Sequence, residues 1–124
     1  MTEFPYLINA DAVQDLLANH GTAVINLVAA WCPDCYEAQA ANLESLRGPL
    51  IEDGVMFANL LVQEQKNEYL SPLHQALTLG FGGHGFPRTV LILNGEPVST
   101  DNVEVTEAGA LTQLASSFLK LVNE

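Results

Sequence analysis

Thr22-Ala23-Val24-Ile25-Asn26-Leu27-Val28 runs almost directly into Trp31-Cys32-Pro33-Asp34-Cys35, and this junction decides how the chain is read. The first stretch is a β-branched apolar run that follows Gly21. It has the composition of a strand covered on both faces, as in a parallel sheet. The second stretch holds two thiols with a proline just after the first. That proline suits the first turn of a helix, where its missing N–H would have no partner anyway. A strand therefore feeds a helix, and the cysteines sit on the seam.

Upstream of the junction, Tyr6-Leu7-Ile8 predicts a short strand. Asn9 can cap a helix striped by Val13, Leu16 and Leu17, with Gly21 as its stop. Downstream, the helix that starts at Cys32 is expected to reach about Leu46, with Leu43, Leu46 and Leu50 at helical spacing. Gly48-Pro49 should break or bend it. Val55 to Val62 reads as a second buried strand and Glu68 to about Leu79 as a helix. Gly80 to Gly85 is a glycine-rich loop, and Thr89 to Leu93 is a third strand. Asn94-Gly95 is a strong hairpin signal, so Glu96 to Thr100 should run back antiparallel. Pro97 lacks a backbone donor, which places that strand at a sheet edge. Thr106 can cap a last helix whose face is Leu111, Leu114, Ala115, Phe118 and Val122. Strands alternating with helices, closed by a hairpin and a helix, predict one α/β sandwich domain over residues 1–124.

Composition narrows the function. The chain is 48% hydrophobic and 15% charged over 124 residues, which excludes a disordered polar tail. Four basic residues face fifteen acidic ones, for a net charge of −11. No basic stripe exists to neutralise phosphates or to hold an anionic membrane, so neither nucleic acid nor membrane is an expected partner. The acidity also opposes self-association, and a monomer is expected. Met1-Thr2-Glu3-Phe4-Pro5-Tyr6 has no positive region followed by an apolar run, so a cytoplasmic location is expected.

Disulfide exchange needs two thiols within bonding reach, one of them ionised near neutrality. At a helix start the first cysteine sits among unpaired N–H groups at the positive end of the dipole, which favours its thiolate. Cys35 lies one turn further in, sheltered but close. Cys32 can attack a disulfide, and Cys35 can then release the mixed disulfide that forms. Trp31 would shield the thiol with a flat apolar surface. Half a zinc site and an inert structural disulfide are the alternatives. There is no second cysteine pair, and His20, His74 and His84 do not reproduce a zinc-ligand spacing. No metal or organic cofactor is expected beyond the redox-active Cys32–Cys35 pair.

The segment resembles the active site of the thioredoxin superfamily, and its Cys-Pro-Asp-Cys form resembles small cytosolic thioredoxin-related proteins. Phe86-Pro87-Arg88-Thr89 matches the second element of that resemblance, the proline that opens the third strand. The resemblance implies a three-layer sandwich, with a central mixed sheet of four to five strands and helices on both faces. It implies a cis Pro87 facing the cysteines, and Phe86 presenting its main chain beside Cys32. Trp31, Pro33, Asp34, Phe86, Pro87 and Arg88 would then contact substrate. The activity implied is reduction of disulfide-containing proteins, with thioredoxin reductase or glutathione as electron donor. A redox-switched binding module of the same fold is the competing reading. A glutaredoxin-like activity on glutathione adducts ranks third, because few basic residues are available for a glutathione site.

Two positions depart from the family pattern. A buried Asp is expected six residues before the first cysteine, with a Lys on the next strand. Asn26 and Asn59 stand there instead, and an amide is no base at neutral pH. Cys35 must then lose its proton to water, to a departing thiolate, or to a carboxylate such as Asp34 or Glu37. Asp34 also disfavours a neighbouring thiolate, and Arg88 is the expected counterweight. The run Gly80-Phe81-Gly82-Gly83-His84-Gly85 matches a dinucleotide fingerprint in letters only, because no strand precedes it and no helix opens after it. It reads as a loop beside the thiols, with His84 as a modulator of their ionisation.

Overall fold

The structure is a computed structural model and describes residues 4–124. At the N-terminus Leu7 makes only an isolated parallel bridge to Asn59, in place of the expected strand. Tyr6, at φ 55°, turns the chain away before pairing can extend. Helix α1 spans Ala10–Ala18, and the Asn9 side chain accepts from the Ala12 N–H at 2.8 Å, as the sequence predicts. It ends at Asn19, with His20 rather than Gly21 taking the left-handed conformation (φ 58°).

Strand β1, Ala23–Ala29, is buried at every position. The helix after it departs from expectation. Asp34–Gln39 forms wide π-type turns and Ala40–Asn42 one tight 3₁₀ turn, before regular helix α2 over Glu44–Glu52. The irregularity thus lies next to the cysteines and not at Gly48-Pro49, which sits inside α2. Proline removes the donor that would have reached the Ser45 carbonyl. That carbonyl instead takes the Thr112 hydroxyl at 3.5 Å.

Strand β2 runs Met56–Gln65, three residues beyond the predicted end. The predicted helix from Glu68 is corrected. Glu68–Tyr69 forms a short strand β3 against β2, and helix α3 begins only at Pro72 and ends at Gly80. Ser71 is the reason, because its hydroxyl accepts from the His74 N–H at 3.3 Å and caps the helix there. Strand β4 is Arg88–Leu93 and strand β5 is Glu96–Val103. Asn94 (φ 53°) and Gly95 (φ 84°) make the turn between them, the conformation an Asn-Gly hairpin requires. Helix α4, Ala108–Val122, starts after Glu107 with no side-chain cap. Thr106 is not the cap; its carbonyl accepts from the Asn42 amide at 2.9 Å.

The five strands lie in the order β3-β2-β1-β4-β5. β1 is parallel to β2 and antiparallel to β4, and β5 is the Pro97-bearing edge. Val13 and Leu77 carry α1 and α3 onto one face, over Ile25, Leu60 and Val90. Leu46, Leu50, Leu111 and Phe118 carry α2 and α4 onto the other, over Val24, Phe57 and Leu91. The result is a three-layer α/β sandwich. It fixes the end of β1, and hence the cysteines, against the start of β4.

Candidate redox site

Cys32 and Cys35 are both free thiols, 5% and 2% exposed. The N–H groups of Cys35 and Tyr36 donate to the Cys32 carbonyl at 3.0 and 3.2 Å, which wraps the first turn around Cys32. Across the cleft, the Phe86–Pro87 peptide is cis, and the Cys32 thiol donates to the Phe86 carbonyl at 3.6 Å. Trp31 meets Phe86 edge to face, with centroids 6.1 Å apart. The indole N–H donates to Gln63 Oε1 at 2.9 Å, and the same oxygen accepts from the Asn67 N–H at 3.2 Å. Lys66 Nζ stands 5.6 Å from the Trp31 ring centroid. A cavity of about 320 Å³ opens here on Cys32, Pro33, Asp34, Phe86 and His84, together with Lys66 and Glu104.

Behind Cys35 the surroundings change character. In register, Asn26 lies between Asn59 on β2 and Thr89 on β4, so three polar residues form a row across the buried sheet. Asn26 Nδ2 donates to Asn59 Oδ1 at 2.9 Å and to Gln39 Oε1 at 2.6 Å. Thr89 Oγ1 donates to Asn26 Oδ1 at 2.8 Å. Gln39 Nε2 reaches the Val105 carbonyl at 3.0 Å, and Asn59 Nδ2 reaches the Pro5 carbonyl at 2.9 Å. All four side chains are buried, and none of them ionises near neutrality. Burial pushes the Cys35 thiol well above its ordinary value, and its hydrogen bond with Cys32 adds to the effect. The carboxylates of Asp34 and Glu37 lie on exposed residues, and the Asp34 charge pushes the Cys35 thiol further up.

Arg88 is corrected. It does not face the cleft and cannot serve as a counterweight to Asp34. Its buried guanidinium donates to the backbone carbonyls of His84 at 2.6 Å, Thr100 at 2.9 Å and Phe81 at 3.4 Å, with Asp101 Oδ1 at 3.5 Å. It braces the glycine-rich loop from beneath. Gly82 (φ 119°) passes so close that a Cβ there would stand 2.5 Å from Arg88 Nη1. The loop is therefore shaped around Arg88, and it delivers His84 to the cleft wall.

Of the residues singled out from the sequence, Trp31, Pro33, Asp34, Phe86 and His84 converge on Cys32. Pro87 is buried beside them, and Asn26 and Asn59 lie in the network behind. Gln39 was missed, although it stands one helical turn after Cys35 and so on the same face. Gln63, Lys66, Asn67 and Glu104 were missed as well. No spacing rule reaches them, because β2, its following turn and the end of β5 meet the cleft only in three dimensions.

No model of a known protein family matches the chain, and no curated protein matches it either. Solved structures do. A thioredoxin of Entamoeba histolytica, in a cysteine-to-serine mutant form, superposes with a TM-score of 0.59 at 18% identity, over 88% of this chain and 93% of that one. A mutant thioredoxin of Halobacterium salinarum superposes with 0.58 at 24% identity, over 95% and 96%. The fold is the thioredoxin fold. A DsbH oxidoreductase shares it, with a TM-score of 0.57 at 21% identity over 98% and 92% of the two chains. Within this thioredoxin fold the chain carries its Cys32-x-x-Cys35 pair after the central strand. None of its helices is long and apolar enough to cross a membrane among the described residues.

Proposed function

We propose that the chain is a thiol–disulfide oxidoreductase that reduces protein disulfides. The observation that carries this reading is the Cys32 thiol, set at a helix start in a solvent-reaching cleft and 3.6 Å from the Phe86 carbonyl. Cys32 attacks one sulfur of the substrate disulfide, that S–S bond breaks, and the other substrate sulfur leaves as a thiolate. Cys35 then attacks Cys32 Sγ and releases the second substrate thiol. Forming the Cys32–Cys35 disulfide oxidises the pair by two electrons, the two that the substrate sulfurs have gained. The network behind Cys35 has no base, so its proton passes to water or to the departing substrate thiolate. Trp31, Pro33, Asp34, Phe86 and Pro87 would form the substrate groove. A thioredoxin reductase or glutathione would return the two electrons. A potential near about −270 mV for the couple favours the former, whereas about −200 mV or higher points to glutathione coupling, an oxidase or isomerase role or a sensor, and overturns the reductase reading.

Insulin, a polypeptide held by disulfides, tests the reading. The Cys35→Ser variant should accumulate a mixed disulfide with it, and Cys32→Ser should form none and lose all reduction. Absence of any adduct would sink the proposal. The neutral network behind Cys35 favours one second reading, a binding module that the Cys32–Cys35 redox state switches. That module would bind a partner without covalent attachment in one redox state only, and would not turn over insulin.

A further inference from the structure

Gln63 is fully buried near the end of β2 and holds two walls of the thiol cleft at once. Its Oε1 accepts from the Trp31 indole N–H at 2.9 Å and from the Asn67 backbone N–H at 3.2 Å. Two donors aimed at one atom fix that atom as the amide oxygen. Nε2 is buried and makes no hydrogen bond among the described residues, so the side chain works as an acceptor only. The backbone aims it. Val28 pairs with Leu61 but Ala29 pairs with Gln63, so β2 carries one extra residue opposite the end of β1. Such a bulge re-aims a side chain. The Gln63 carbonyl then accepts from the Ala30 N–H at 2.8 Å, one residue before Trp31.

Trp31, Lys66 and Asn67 all line the cavity that opens on Cys32. Asn67 is exposed and left-handed (φ 66°), and Lys66 beside it stands over the indole. One oxygen thus ties the residue before the reactive thiol to the turn that faces it. We propose that Gln63 is a positioning residue for disulfide reduction, which seats Trp31 and the Lys66–Asn67 turn as the wall against which a polypeptide substrate lies. The role rests on the oxidoreductase reading. A small disulfide reaches Cys32 without lying along that wall, so Gln63 matters for large substrates and not for small ones.

Insulin and 2-hydroxyethyl disulfide serve as the large and the small substrate. Gln63→Met keeps the side-chain length and loses the strong acceptor, whereas Gln63→Glu keeps an acceptor in place. Gln63→Met should raise KM for insulin about tenfold, the size of one lost buried hydrogen bond, and leave reduction of the small disulfide unchanged. Trp31 is the only tryptophan, so acrylamide quenching of its fluorescence should rise in the same variant. Gln63→Glu should keep wild-type values of both. In the wild type, hydrogen exchange followed by NMR should find the Trp31 indole N–H and the Asn67 amide both slow, a test that holds even if Gln63→Met does not fold. Unchanged quenching and KM in Gln63→Met, an equal loss on both substrates, a Gln63→Glu variant that behaves like Gln63→Met, or fast exchange of either N–H would each overturn the positioning role alone. No reduction of either disulfide by the wild type would overturn the oxidoreductase reading and that role with it.

Discussion

The two sides of the Cys32–Cys35 turn differ in kind. In front of Cys32 stand Asp34, Lys66, His84 and Glu104, all on exposed residues and all able to carry charge. Behind Cys35 stand Asn26, Gln39, Asn59 and Thr89, all buried and all neutral. The front presents charge at the mouth of the cleft, and solvent screens most of its effect. The back holds the sheet and the active-site turn in one arrangement, because a buried amide left without a partner is costly. It supplies no proton acceptor. In this chain the polar residues behind Cys35 serve structure, and they offer its buried thiol no ionisable partner.

The largest effect should appear in the pH profile of the resolving step. Burial keeps Cys35 protonated to beyond its ordinary value of 9.0. Its thiolate fraction, and the rate at which it releases a preformed mixed disulfide, should therefore rise about tenfold per pH unit through neutrality. Asn26→Asp puts a titratable group into the network and should flatten that slope. Rapid-mixing measurements of substrate release read both slopes, and a flat wild-type profile would break the contrast between front and back.

Stability gives the next largest effect. Asn26→Ala strips partners from Gln39, Asn59 and Thr89 at once and should cost about 1–3 kcal/mol in urea unfolding of the reduced protein. Asp34→Ala, on the exposed front, should stay within about 0.5 kcal/mol. Equal costs would mean that the back network is not structural.

The smallest effect belongs to His74, away from both sides. Burial lowers it below its ordinary 6.5, and the Asp11 charge opposes the shift. A histidine depressed in the folded state binds fewer protons there than in the unfolded chain. Stability should therefore fall as pH drops through about 6.5, and the slope should follow the unfolded value first. His74→Gln should shallow that slope slightly in unfolding curves taken at pH values on either side of it. An unchanged slope would place the pH dependence elsewhere.

Local rules carried the sequence reading far. The β1 run, the Asn9 cap, the Asn-Gly turn and the two cysteines are all set within a few residues of themselves, by burial, capping and φ preference. Local signals mislead where the competing signal comes from a distant partner. Gly48-Pro49 looks like a helix end, but α4 brings Thr112 to the carbonyl that proline leaves free. Glu68 to Leu79 looks like a single helix, but β2 offers an edge that draws Glu68–Tyr69 into the sheet. Arg88 looks like a cleft residue, because position in sequence does not say which way a strand's first side chain turns.

The sequence by itself determined an α/β chain with a Cys-x-x-Cys pair between a buried strand and a helix. It also determined that no ionisable group stands at positions 26 and 59. Only the tertiary structure decided that Asn26, Gln39, Asn59 and Thr89 close into one network, that Arg88 turns inward to shape the His84 loop, and that Lys66, Asn67 and Glu104 complete the cleft at Cys32. The physical reason is range: strand, turn and cap preferences act between near neighbours, whereas buried polar groups and cleft walls are completed by residues that only packing brings together.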